Sequence, residues 1–169
     1  QYDAKIYKVE RIKTHGGSIR AYLKKGKKIK IENSVRELIK VEEKFGIKKY
    51  QIYQEFAKKV YKIRENIRKN ILKLKSKNAK VIGYGSPAKA TTALNFFGIS
   101  NEIECIVEDN KLKHGKFLPG MNIPIVSRSE IKEKPDCALV LAWNFFDEIK
   151  KNNSDLAQKF ISIKDLEIL

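Results

Sequence analysis

Two glycines, a serine, a proline and a lysine crowd into Lys80–Gly98, KVIGYGSPAKATTALNFFG, in an order that suits phosphate binding. Val81, Ile82 and Tyr84 have the character of a short buried strand, which Gly83 and Gly85 interrupt. Ser86 stands where a helix N-cap is expected. Pro87 follows at the first helical position, where its missing N–H costs nothing. Ala90, Ala93, Leu94 and Phe97 share one face of the predicted helix, and Gly98 closes it. A strand, a glycine turn and a helix bring free N–H groups and the positive end of a dipole to a spot that small residues leave open. Lys89 places a cation in the first helical turn, against the dipole, at a cost of about 0.3–1 kcal/mol. A bound anion would account for it; the alternative is a lysine facing solvent.

Gly83, Gly85 and Ala88 also fit the dinucleotide pattern G-x-G-x-x-G/A. That pattern calls for an acid at the end of the next strand, roughly 20 residues on. Glu102–Val107 reads as this strand and Glu108–Asp109 as its end. The phosphates are therefore expected on Gly83, Tyr84, Gly85, Ser86, Pro87, Ala88 and Lys89. Glu108, Asp109 and Asn110 are expected near a ribose and base. Trp143 and Asn144, after the apolar run CALVLA, stand at another strand end, where Asn144 can bond a base or sugar or else cap a helix. His15, before the pair Gly16–Gly17, and Arg20 after it read either as a site edge or as a hinge between strands. Lys89→Ala should weaken diphosphate binding. Gly85→Val should abolish it and leave a folded protein.

No catalytic group is assigned. Cys105 and Cys137 are the two cysteines, each in an apolar run, and read as buried packing residues. They lack zinc-ligand spacing, and His15 and His114 are isolated, so no metal site is expected.

The elements that must position these residues follow from periodicity. Ala4–Ile12 alternates apolar and charged residues with one slip, and Ser18–Lys24 reads as its partner strand. Lys24–Lys30 is a basic turn. Val35–Phe45 reads as a helix, capped by Asn33 or by Ser34 with Glu37 completing a capping box, and ended by Gly46. Over Lys49–Lys77, Ile52, Phe56, Val60, Ile63, Ile67, Ile71 and Leu74 recur at three- and four-residue steps, one apolar stripe on a long helix. The stripe packs on its own domain, or forms a seam against another domain or a second copy. Beyond Lys80 the order is strand, helix, strand, polar loop (Glu108–Asn122), strand over Cys137–Ala142, helix over Phe145–Lys151, and strand over Phe160–Ile163. This predicts an α/β fold: a Rossmann-like parallel twisted sheet with an N-terminal hairpin-like segment and a long helix packed on it. The parts are 1–48, 49–78 and 79–169. Ligands of such sheets lie beyond the carboxyl ends of the strands, where Gly83–Lys89, Glu108–Asn110, Trp143–Asn144 and Lys113–Gly120 converge.

The chain has 169 residues, 33% charged and 42% hydrophobic, with Lys+Arg 36 against Asp+Glu 20 and a net charge of +16. The excess favours anionic partners. The lysines are dispersed along the chain rather than gathered with aromatics, which argues against a nucleic-acid face. No run reaches the ~20 apolar residues of a membrane span, so no membrane partner is expected. Cysteine usage and the lack of a signal peptide fit a cytoplasmic protein. The chain begins at Gln1 rather than Met and reads as a piece of a longer protein.

Four blocks, THGGSIRAYL, GYGSPAKATTALNFFGI, VEDNKLKHGKFLPGMNIPI and LAWNFFDEI, in this order and spacing, resemble the C-terminal domain of S-adenosylmethionine-dependent sugar C-methyltransferases. The resemblance runs from about Ala4 to Lys151. Ala90 and Thr91 stand where that family usually has Gly and Asn, and Glu108–Asp109–Asn110 varies its acidic segment. The resemblance implies a substrate-binding domain for a nucleoside-diphosphate sugar. It also implies a parent protein whose absent N-terminal methyltransferase part supplies S-adenosylmethionine, zinc and the catalytic base, with no cofactor in this chain. The competing reading is a free-standing protein that binds NAD through the glycine turn.

Overall fold

The computed structural model describes residues 3–14 and 17–168, so His15 and Gly16 lie outside the described residues. Two compact units result, divided between Lys58 and Lys59.

In the first unit, β1 (Ala4–Ile12) and β2 (Ser18–Lys25) form an antiparallel pair. Its register shifts between Ile6 and Lys8, where the apolar alternation slips. Helix α1 (Asn33–Phe45) ends at Gly46, in the left-handed region at φ 83°. Its start differs from expectation. Glu32 occupies the N-cap without a side-chain bond, because the Ser34 hydroxyl accepts the Val9 N–H at 3.2 Å and ties the helix to the hairpin instead. A second tie runs from the Glu32 N–H to the Tyr7 carbonyl at 2.8 Å.

Helix α2 (Tyr50–Lys75) carries the long apolar stripe. Phe56, within the first unit, is 66% exposed, whereas Ile67 and Ile71, within the second, are buried. Among the described residues every buried apolar side chain lies at Ile67 or later. The stripe is thus part of a core only over its C-terminal half.

The second unit is a five-stranded parallel sheet in the order β5-β4-β3-β6-β7. Its strands are β3 (Val81–Tyr84), β4 (Ile106–Val107), β5 (Ile125–Val126), β6 (Cys137–Val140) and β7 (Lys159–Ser162). The α/β expectation holds, with one strand more: the short run before Ser127 adds the edge strand β5. Regular pairing in β4 is shorter than Glu102–Val107, although the Glu104 N–H still reaches the Val81 carbonyl at 3.0 Å. Side chains alternate between two cores. Val81, Ile106, Cys137, Leu139 and Ile161 face α2 and α3 (Ala88–Phe97), packing with Ile67, Ile71 and Leu94. Ile82, Tyr84, Val107, Ala138 and Val140 face Leu156, Ala157 and α4 (Phe146–Asn152). β6 and β3 are buried along their whole length, as continuous apolar runs require.

Candidate functional site

Chain order moves from β3 outward through β4 to β5, then jumps back to β6 and β7 on the other side. The reversal separates the ends of β3 and β6 and leaves a crevice between the loops that follow them. A cleft of about 520 Å³ opens there. Tyr84, Gly85, Ser86 and Pro87 line it from the β3 turn, Glu108, Asp109 and Lys113 from beyond β4, Phe145 from the turn before α4, and Glu148, Ile149 and Asn152 from α4.

Gly85 sits at φ 82°, and a Cβ built on it would come within 2.9 Å of the Ala142 Cβ. The chain's own packing therefore demands glycine here, independently of any ligand. Gly83 is buried in the sheet; a Cβ there would meet Ile106 and Leu141 side chains at 3.0 and 3.1 Å.

The turn departs from the expected capping. Helix α3 begins at Ala88, and Pro87 is its N-cap, extended at ψ 159° and without a side-chain bond. Ser86 does not cap the helix. Its backbone N–H and its hydroxyl both donate to Glu108 Oε2, at 2.8 and 2.5 Å. A carboxylate is the stronger acceptor and draws both donors across the crevice. The Asn110 N–H donates to Glu108 Oε1 at 3.1 Å, and Lys113 Nζ approaches Oε2 at 3.3 Å. Burial resists ionisation of Glu108, but the hydrogen bonds from Ser86, Asn110 and Lys113 outweigh it and bring the pKa down to about 2. Lys113 Nζ also donates to the Ser86 carbonyl at 3.0 Å. His114 Nε2 lies 2.6 Å from the Glu108 carbonyl.

Tyr84 donates its hydroxyl to Asp109 Oδ1 at 2.9 Å. Burial, with this bond and the charge of Asp109, pushes the phenol up to about 12. Asn110 accepts the Leu112 N–H at 3.0 Å and so caps the turn Lys111–Lys113. Asn153, also lining the cleft, is buried and accepts Arg128 Nη1 at 2.8 Å. A second cavity of about 500 Å³ lies beside the first, lined by Ala88, Thr91, Thr92, Lys116, Phe117 and Leu118 among others. Ser86 and Lys113 line both.

Of the residues singled out from sequence, Tyr84, Gly85, Ser86, Pro87, Glu108 and Asp109 meet in the first cleft, and Ala88 lines the second. Lys89 lines neither. Its Nζ sits 4.0 Å from the centre of the Trp143 ring, with Lys164 Nζ 5.7 Å away on the same ring. Burial, then the charge of Lys164, lowers its pKa. Trp143 packs against the core on the α2 and α3 side of the sheet. Asn144 is exposed in the turn Trp143–Phe145 and lines neither cavity. Arg20 belongs to the hairpin of the first unit, opposite Glu10, and His15 lies outside the described residues.

Lys113 opens the loop Lys113–Gly120 expected at the crevice, whereas Phe145, Glu148, Ile149 and Asn152 are residues that the motif reading passed over. Spacing could have found them: along a helix that leaves a strand end, positions three and four apart share the face nearest that end. Lys113 reaches the crevice at the end of the 3-10 turn Lys111–Lys113.

No three His, Cys, Asp or Glu residues among those described group as metal ligands. The cysteines do not fit zinc either. Cys137 lies in β6 and Cys105 directly before β4, and burial pushes each thiol up to about 11, away from the thiolate a metal needs. Among the described residues no helix is long and apolar enough to cross a membrane. The crevice offers an ionised carboxylate, a protonated phenol, an ammonium and the start of a helix.

Residues 13–162 match a family model described as the C-methyltransferase C-terminal domain. The chain is also similar to the C-methyltransferase NovU of Streptomyces niveus, 31% identical over 157 residues that span 91% of this chain and 37% of that protein.

Proposed function

The chain belongs to the C-methyltransferase C-terminal domain family, and from that premise we propose that it holds a nucleoside-diphosphate sugar for methylation by the rest of a longer enzyme. One observation carries the reading: the glycine turn, the start of α3 and the acids beyond β4 converge on a single cleft at the switch point of the sheet. In this reading the diphosphate lies along Ser86–Ala88. Of the first-turn N–H groups of α3, that of Ala90 donates to the Pro87 carbonyl at 2.8 Å, which leaves those of Ala88 and Lys89 without an intrahelical acceptor. Asp109 uses one carboxylate oxygen on Tyr84 and has the other for a ribose hydroxyl. The exposed ring of Phe145 offers a face to a base.

The chain spans 37% of the length of the relative it matches. S-adenosylmethionine, which would supply the methyl group, and the base that would deprotonate the sugar are assigned in this proposal to the part of the enzyme beyond these residues. Calorimetric titration with thymidine diphosphate, NAD and S-adenosylmethionine tests the reading. Binding of the diphosphate alone supports it. Binding of NAD or S-adenosylmethionine in its place would make the turn a cofactor site and overturn it.

A further inference from the structure

Resting on that reading, we propose that Lys113, rather than Lys89, grips the diphosphate, exchanging Glu108 for phosphate oxygens when the ligand binds. Among the described residues Lys113 is the one cation lining the first cleft. Together with Ser86 it forms the wall common to both cavities. A ligand extending from one cavity into the other must pass its charged link over this ammonium. Lys89 has turned onto Trp143 and reaches neither cavity.

The exchange is chemically balanced on both sides. An ammonium has three donors, and Lys113 spends two of them, one on the Ser86 carbonyl and one on Glu108. The contact with Glu108 is the longer one, at 3.3 Å against 3.0 Å. A diphosphate carries more negative charge than a carboxylate and outbids it for the ammonium. Glu108 is not left bare, because the Ser86 N–H, the Ser86 hydroxyl and the Asn110 N–H remain on it. Glu108 therefore acts as a positioning residue: it parks the lysine at the wall and can release it without exposing an unpaired charge.

The test is calorimetric titration of the full chain and its variants with thymidine diphosphate and with thymidine. Lys113→Met should weaken diphosphate binding roughly 10- to 100-fold, the scale of a lost charge-assisted contact. Thymidine affinity should stay within about threefold of the parent, which also shows that the variant is folded. The salt dependence of diphosphate binding should become shallower. Lys113→Arg should keep most of the affinity, and Lys89→Met all of it. Parent-level diphosphate affinity in Lys113→Met, or the loss appearing in Lys89→Met instead, would overturn the assignment and leave the proposed function standing. Failure of the unmodified chain to bind the diphosphate would overturn both.

Discussion

The backbone N–H and the hydroxyl of Ser86 both end on one oxygen of Glu108, at 2.8 and 2.5 Å. This pair joins the turn after β3 to the loop after β4, across the crevice where the sheet reverses its order. It makes Glu108 a structural carboxylate as well as a wall of the cleft, with consequences for stability against pH. The folded pKa of about 2 lies below the ordinary 4.5. A depressed carboxylate stabilises the fold above its unfolded pKa, and that contribution disappears as pH falls through the folded value. Denaturant midpoints measured for the parent and Glu108→Gln should differ most above pH 4.5, with the parent more stable. They should converge as pH falls toward 2. A gap that stays constant over this range would show that the charge of Glu108 contributes nothing.

Gly85 meets Ala142 before it meets any ligand. Its positive φ and the 2.9 Å approach of a built Cβ predict that Gly85→Val lowers stability by several kcal/mol, roughly 1–3 for backbone strain and a similar amount for overpacking. The sequence alone reads this substitution as a clean block of the phosphate site in a folded protein. The structure makes it a folding variant first. Thermal melts would show it, and a melting temperature equal to that of the parent would contradict the packing.

Lys89 reports on the only tryptophan in the chain. Its ammonium lies 4.0 Å from the Trp143 ring centre, a contact of about 0.5–2 kcal/mol. Lys89→Met should shift the tryptophan emission and lower the denaturant midpoint slightly. Emission identical to that of the parent would mean that the lysine is not on the ring.

Asn70 fastens α2 to the last turn of the chain. It is buried, and its Nδ2 donates to the carbonyls of Leu166 and Glu167 at 2.9 and 3.2 Å. Asn70→Ala removes both bonds and should cost about 1–3 kcal/mol. Amide exchange around Leu166 should speed up more than exchange in β3 and β6. Uniform acceleration across the sheet would point to a global effect in place of this local tie.

Much of the fold was legible because its signals are short-range. The slip in alternation near Lys8 is the register shift of β1. The run CALV is the buried strand β6, and the stripe through Ile67 and Ile71 is a helical face in the core. The edge strand β5 was harder, since two residues between polar loops carry no period. The glycine stops at Gly46 and Gly98 hold, but the serine N-caps of α1 and α3 were misread, and for one reason at both places. Ser34 and Ser86 each have the local setting of a cap, yet each hydroxyl serves a distant partner, Val9 in one case and Glu108 in the other.

By itself the sequence determined the order of strands and helices apart from the edge strand β5, the glycine turn after β3 and the acids after β4. Those features depend on residues that are neighbours along the chain, where side-chain period, φ preference and helix ends act directly. Only the tertiary structure decided which groups share the crevice. It turned Lys89 onto Trp143, brought Lys113 to Ser86, and set Gly85 against Ala142. Those choices follow from sheet order and packing, which bring residues far apart in sequence within a hydrogen bond of each other and leave a long side chain free to take the partner it meets.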